Sequence, residues 1–357
     1  MRIDLIKSNL NTYKANLHCH SVISDGSKTP EQLVEDYKKN GYSVLSITDH
    51  NVLIDHSDLN QKDFLLLTGY EANIDPQKIY YNGFGNHSPT VHICFIARDP
   101  KNDVIPLFNP KYCFSISEED LAKQKYLGTP DYERAFNNVN GFVKKHLDNG
   151  FIAAFNHPNW SMAAMEDMIT YEGFYCMEIC NYGCYNEGYP EINDYVYEQL
   201  LRHGKKMFAI ATDDNHNRYP DGHPHCDSYG GFTMIQAESL TYDNIIKALE
   251  NGDFYASMGP EIKEFYVEQE GEDWIAHIKT SPVREIAFKT YGRRSSCWKP
   301  EKEGDTITEA RFKLQSKYDR YLRVYITDEK NRYAWTNAYF DPCKEENGKF
   351  DYASFMY

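Results

Sequence analysis

The sequence predicts an α/β protein: a mainly parallel barrel of about seven strand–helix units, followed by a small antiparallel β domain. Short apolar runs of strand length alternate with amphipathic helical segments, the pattern of strands buried on both faces under covering helices. Near Gly259-Pro260 that alternation gives way to short, alternating, turn-separated runs. Histidines and carboxylates stand at the carboxyl ends of several apolar runs, where an α/β barrel presents an active site.

The run Ala15–Leu17 ends at His18-Cys19-His20, with Asp25 close behind. Thr29-Pro30-Glu31-Gln32 then supplies a cap, a proline for the first helical position and the glutamine of a capping box. Leu33, Val34 and Tyr37 give this helix its apolar stripe, and Gly41 suits its termination. Strand Val44–Ile47 ends at Thr48-Asp49-His50, and Phe64–Thr68 at Gly69-Tyr70-Glu71. His92–Ala97 reads as another strand. Residues 98–130 break the rhythm with poor periodicity and scattered prolines, and read as an insertion: a lid, a substrate loop or a plain surface excursion.

A helix near Tyr132–Leu147 ends at Gly150, and strand Phe151–Phe155 runs into Asn156-His157-Pro158. Tyr175–Cys180 precedes a helix near Ile192–Arg202 closed by Gly204, and Met207–Ala211 reaches Asp213-Asp214-Asn215-His216. Thr241–Leu249 reads as a Thr-capped helix and Phe254–Ser257 as a short extended piece. Beyond it Phe265–Val267, Trp274–Ile278, Glu285–Thr290, Arg311–Leu314, Tyr321–Ile326 and Tyr333–Trp335 suit a β-sandwich-like domain. The expected division is therefore 1–259 and 260–357, with no internal repeat.

A formal charge of −15 argues against non-specific binding to nucleic acid or anionic membrane. It leaves room for a small phosphorylated substrate, because bound metal reverses the local sign. The amino terminus lacks a signal-peptide core and no stretch has the length of a membrane span. The 9 cysteines, odd in number and without framework spacing, read as reduced thiols in a cytoplasmic protein. Cys176, Cys180 and Cys184 lie four apart, but on a buried strand they read as small core residues.

Imidazole nitrogen with carboxylate oxygen suits Zn²⁺, Mn²⁺ or Fe²⁺, and no cysteine stands at the ligand positions as a structural zinc knuckle requires. Glu71 is the candidate bridging carboxylate, with His92 and His157 as further nitrogen donors. Asp49 is expected to orient a ligating group, Asp213 to do the same or to be a loop acid, and Arg218 is a candidate phosphate contact.

With these residues in view, the chain resembles the PHP (polymerase and histidinol phosphatase) family, metal-dependent phosphoesterases on a distorted seven-stranded barrel. The resemblance runs from Ala15 to about Pro260, through His18, His20 and Asp25; Thr48-Asp49-His50; Gly69-Tyr70-Glu71; His92; His157-Pro158; and Asp214-Asn215-His216. It implies two or three divalent ions. His18, His20, Glu71 and Asp214 hold one by analogy; Asp25, His50 and His216, shared with Glu71, hold a second; Glu71, His92 and His157 hold a third. Many relatives have histidine where this chain has Asp25, and a carboxylate there favours Mn²⁺ or Fe²⁺ over Zn²⁺.

The resemblance implies hydrolysis of a small phosphate ester by a metal-activated hydroxide. A rival keeps the metals and cleaves a carbamate or carboxyl ester. A third reading, from another class, is a non-catalytic glycan- or protein-binding module using Trp274, Trp298 and Trp335.

Overall fold

The structure, a computed structural model, describes residues 1–75, 80–81, 86–87, 89–315 and 320–340. Cys343 and the rest of 341–357, expected within the second domain, lie outside the described residues. The strands are β1 (Arg2–Ile6), β2 (Asn11–Asn16), β3 (Val44–Ile47), β4 (Leu65–Ile74), β5 (Val91–Ala97), β6 (Phe151–Phe155), β7 (Phe174–Asn181), β8 (Phe208–Thr212), β9 (Phe232–Ala237) and β10 (Phe254–Ser257). They continue as β11 (Ile262–Glu270), β12 (Asp273–Val283), β13 (Glu285–Thr290), β14 (Ser295–Trp298), β15 (Ile307–Leu314), β16 (Tyr321–Thr327) and β17 (Tyr333–Thr336). Two-residue ladders are left unlabelled. The longer helices are α1 (Pro30–Lys39), α2 (Val139–Leu147), α3 (Asp194–Arg202) and α4 (Tyr242–Asn251).

A 14-stranded mixed sheet runs β8-β7-β6-β5-β4-β3-β2-β9-β10-β17-β16-β13-β14, with Tyr339–Phe340 added beside β16. A second sheet orders β1-β11-β12-β15. The pairs β2–β3, β3–β4, β6–β7 and β7–β8 are parallel, as expected. β5 is antiparallel to both β4 and β6, which departs from the expected parallel order. The chain passes from β4 to β5 through residues 75–90, with no helix among the described ones to carry it back along the sheet.

α1 forms where its cap demands. The Gln32 N–H donates to Thr29 Oγ1 and Gln32 Oε1 accepts from the Thr29 N–H at 2.9 Å, closing the capping box. Thr241 caps α4 through its side chain, which accepts the Asn244 N–H, and Gly252 ends it at φ 72°. The other two helices start later than their apolar periodicity suggests. Asn193 N–H is taken by Ile179 O and Ile192 bridges Cys180, so α3 opens only at Asp194. A 3₁₀ turn, Phe136–Asn138, precedes α2.

The apolar runs are buried as predicted. One cluster joins Tyr70, Phe95, Phe142, Phe151, Met177 and Ala211, and it extends to Tyr321, Trp335 and Ala338 from the far end of the chain. Another packs β1, β11, β12 and β15 against β13 and β16 through Ile6, Phe265, Ile278, Phe288, Phe312 and Val324. Cys176, Cys180 and Cys184 are buried free thiols. Among the described residues no helix is long and apolar enough to cross a membrane.

Two buried polar contacts lock helices onto this frame. Arg323, fully buried on β16, donates to Glu198 Oε2 (Nε, 2.9 Å) and Asp194 Oδ1 (Nη1, 2.7 Å) of α3. Tyr321 adds an O–H bond to Glu198 Oε1 at 2.6 Å. His146 of α2 is enclosed between the Phe95 ring (3.9 Å, stacked) and the Tyr70 hydroxyl, and burial pushes its pKa down to about 3.

Arg323→Met strips the buried Glu198 carboxylate of its buried cationic partner, leaving Tyr321 and the half-exposed Arg202, and urea unfolding should show a loss of about 3 kcal/mol. For His146 the unfolded chain binds a proton below about pH 6.5 while the folded chain resists it down to about 3, so stability falls with pH across that window. Against a His146→Phe variant, the unaltered protein should lose up to about 1.4 kcal/mol more per pH unit there.

Candidate metal centre

Every ligand candidate except Asp25, which sits in the turn before α1, rides on or just past a strand of the run β2 to β8. His18 and His20 follow β2, Asp49 and His50 follow β3, Glu71 lies within β4, His92 within β5, His157 follows β6, and Asp214 and His216 follow β8. The extended segment after β2 sends His18 and His20 to one side, while Cys19 packs among Leu33, Tyr37 and Leu45. Its backbone bridges the segment after β8: Asp214 N–H donates to His18 O (2.9 Å) and His20 N–H to Asn215 O (3.1 Å). The two ends of the strand run therefore meet at the histidines.

The side chains converge. His18 Nε2 lies 3.2 Å from His20 Nε2, 3.1 Å from Asp214 Oδ1 and 3.3 Å from Glu71 Oε1. His20 Nε2 is 2.9 Å from Asp214 Oδ1. Glu71 Oε1 is also 3.0 Å from His92 Nδ1 and 3.2 Å from His157 Nε2, while its Oε2 is 3.0 Å from His50 Nδ1. Asp25 Oδ2 is 3.3 Å from His216 Nε2, and Asp25 Oδ1 is 3.8 Å from His50 Nε2.

In this pocket four groups bring ligand atoms within 4.8 Å of one another: His20, Asp25, His50 and His216; His18, His20 and Asp214; His18, Glu71 and His157; His50, Glu71 and His92. Donors bound about 2.1 Å from one ion stand about 3.0–3.5 Å apart, so these spacings fit a shared cation. Hydrogen bonding does not satisfy the pocket. His20 Nδ1, His50 Nδ1 and Glu71 Oε2 are buried with no hydrogen-bond partner among the described residues, the last two despite lying close together. Lone pairs aimed at common space are what divalent ions satisfy. The donor set of imidazoles and carboxylates fits two or three such ions.

Charge is uneven across the pocket. Burial opposes ionisation of Glu71, yet His18, His92 and His50 hold it well below the usual carboxylate range. Asp214 behaves likewise, with burial outweighed by His18, His20 and His157. Burial also works against protonating His157 and His216, but Glu71 and Asp214 lift the first to about 9, and Asp25 and Asp214 lift the second to about 9. His20 drops to about 4, through burial and then the neighbouring His50 and His216.

The residues around the ligands are built to hold them still. Glu178, fully buried on β7, accepts from four donors: His18 Nδ1 (2.8 Å), Thr212 Oγ1 (2.6 Å), His157 N–H (2.8 Å) and Asn181 Nδ2 (2.8 Å). Sequence reasoning passed over it; the signal was a lone glutamate inside the apolar run Tyr175–Cys180. Asp49 bonds the loop that carries Asp25, accepting Ser21 N–H (2.8 Å) and Ser24 Oγ–H (2.6 Å), and touches no imidazole through a hydrogen bond. Asp213 takes Tyr37 O–H (2.8 Å) and the N–H groups of Tyr229, Gly230 and Gly231, and burial lifts it to about 6. Arg218 is exposed.

Backbone strain is concentrated here. Asn51 (φ 62°), His157 (φ 23°) and Asp214 (φ 50°) all hold left-handed conformations that non-glycine residues seldom adopt. Close approach explains one glycine: a Cβ on Gly183 would stand 2.7 Å from Asp213 O, so only glycine lets that turn support the Asp213–Asp214 loop. The insertion also reaches the site. Phe114 lies 4.8 Å, ring to ring, from His50, and buried Arg134 bonds Asn51 Oδ1 and Asn73 O beside His50 and Glu71. Trp160 packs edge-on against His92 (5.1 Å) and His157 (4.9 Å).

A buried cluster of imidazoles and carboxylates at the strand ends of a mixed α/β sheet makes a candidate centre for divalent ions. The PHP domain profile matches residues 16–334, and the chain belongs to the PHP domain family. A 5'-3' exoribonuclease of Haemophilus influenzae is 39% identical over 66 residues, 17% of this chain and 24% of that protein, so the chain spans only about a quarter of this relative's length. Among solved structures, a two-domain protein from Bacteroides vulgatus containing a predicted PHP-like metal-dependent phosphoesterase aligns at TM-score 0.41 and 16% identity, over 94% of this chain and 98% of that one. An amidohydrolase from Chromobacterium violaceum aligns at TM-score 0.34 and 14% identity, over 57% and 87%.

Glu178→Gln keeps the shape of its site but removes the charge that orients His18. Metal affinity, measured by equilibrium dialysis with elemental analysis, should fall about 10- to 100-fold.

Proposed function

We propose that the chain is a metal-dependent phosphoesterase acting on a small phosphorylated molecule, with His18, His20, Asp25, His50, Glu71, His92, His157, Asp214 and His216 as ligands of two or three divalent ions. The observation that carries this reading is Glu71, a fully buried carboxylate within 3.3 Å of four imidazole rings and with one oxygen left without a hydrogen bond. Such a carboxylate is a bridging ligand by position. We read β2 to β8 as the distorted seven-stranded barrel, residues 1–259 as the hydrolase unit with 98–130 inserted, and 260–357 as the C-terminal β unit.

Bound manganese, iron or zinc would supply positive charge to the phosphoryl oxygens and an activated water. The protein's own residues do the rest. Glu178 fixes the ring and tautomer of His18, Asp49 fixes the loop of Asp25, and Asp213 fixes the turn of Asp214. Asp25 and His216, the most exposed ligands, face the incoming ester, with Arg218 nearby in sequence as a phosphate contact. The unpaired cysteines fit a reducing compartment, and we assign the cytoplasm.

The carbamate or carboxyl-ester alternative draws on one observation: Lys28, close to the opening, is held by Asp36 (2.6 Å) and Asp221 (3.6 Å) instead of being free for phosphate. The binding-module alternative is weakened by Trp335, which is buried in the main core.

Metal-loaded protein should hydrolyse a phosphate monoester or diester, lose that activity with chelator, and lose it in Glu71→Gln. Turnover of an acyl ester with none of either phosphate ester would assign the rival reaction.

A further inference from the structure

The ligands show where the pocket opens. Asp25 and His216 side chains are each 22% exposed, against 1% for His18 and Glu71 and 0% for His20. One aromatic side chain borders that opening, and a second stands on the loop that leaves His216. Phe114, 44% exposed, lies 4.8 Å from the His50 ring, and His50 shares its ligand group with Asp25 and His216. Tyr219, 45% exposed, stands three residues beyond His216 and is stacked on His223 at 4.6 Å and 10°. It lines a groove of about 460 Å³ with Ser27, whose N–H donates to His216 O at 2.8 Å.

Isolated exposed aromatics are ordinary on protein surfaces. These two are held in place, Phe114 directly against a candidate ligand ring. The backbone before Phe114 is anchored to the residue after His50, with Asn51 Nδ2 donating to Tyr112 O (2.9 Å) and the Cys113 thiol to Asn51 O (3.5 Å). The ring of Tyr219 is buttressed by His223. The lysine of that groove is already occupied by two carboxylates. Within otherwise polar surroundings the two rings offer flat apolar surface to whatever projects from a phosphoryl group seated on the metals.

We infer that Phe114 and Tyr219 receive a flat aromatic ring on the organic part of the substrate, so that the site selects aryl or heteroaryl phosphates over aliphatic ones. This rests on the phosphoesterase reading. Offset or edge-on stacking at such distances favours an aromatic partner beyond simple area burial.

Isothermal titration of manganese-loaded protein with phenylphosphonate and methylphosphonate tests it without turnover. Phenylphosphonate should bind about tenfold tighter. That ratio should fall to about one in Phe114→Ala, fall in Tyr219→Ala, and persist in Phe114→Trp, with circular dichroism melting to establish that each variant is folded. Equal binding of the two phosphonates, or an undiminished ratio in folded Phe114→Ala, overturns the inference and leaves the phosphoesterase reading standing. Failure of both phosphonates to bind overturns that reading, and the inference with it.

Discussion

A fully buried glutamate is the constraint around which the rest of this molecule is arranged. Glu71 has no route to water, and an isolated carboxylate in that position would carry a desolvation penalty of several kcal/mol. Its neighbours are imidazoles drawn from β5 and from the segments after β2, β3 and β6, and they reach it only because those strands lie side by side in one sheet. The bridge between the segments after β2 and β8 then brings Asp214 onto the same histidines. Removing the mutual charge compensation would leave the pocket as the least stable part of the fold, which is the usual relation between a reactive site and its scaffold.

That relation shows in the backbone as well. Left-handed conformations at Asn51, His157 and Asp214 each cost on the order of 1 kcal/mol or more, and all three are tied down by bonds from elsewhere. Asn51 is gripped by Arg134, Asn73 and Tyr112; the His157 N–H is gripped by Glu178; Asp214 is gripped by His18 O and Asn181. A surrounding network that over-determines the strained residues keeps ligand atoms fixed to within the tolerance a metal site needs.

Most of the candidate ligand-bearing segments stood out in the sequence because they follow an apolar run of strand length, and strand periodicity alone puts His18 and His20 on one side. The capping box of α1 was equally plain, since Thr29, Pro30 and Gln32 state the same start in three ways. What escaped was whatever depends on distant pairing. The antiparallel setting of β5 is invisible locally, because a strand buried on both faces looks the same in either direction. Arg323 lies in an ordinary-looking alternating strand, and only the arrival of α3 above it makes it a buried ion pair. Glu178 was visible as an anomaly, a charge within a core strand, but its meaning required knowing that His18 lies opposite.

The described strands beyond Gly259 bear on the site through the core. Tyr321, Trp335 and Ala338 belong to the same apolar cluster as Met177 and Ala211, which lie on the strands carrying Glu178 and leading to Asp214. Asn337 extends this into the polar ladder: its Oδ1 accepts the Ala209 N–H of β8 (2.9 Å), and its Nδ2 donates to Gly252 O (3.1 Å) and Phe254 O (3.0 Å). β17 pairs with β10 while β1 pairs with β11, so both the first and the last described strands join the distal sheets. A strand such as β8, which delivers Asp214 and His216, is thus braced from behind by residues more than a hundred positions later. Buried bracing of that kind explains why aromatic side chains such as Trp335 face inward here, and it makes the distal strands part of what sets the geometry of the candidate ligands.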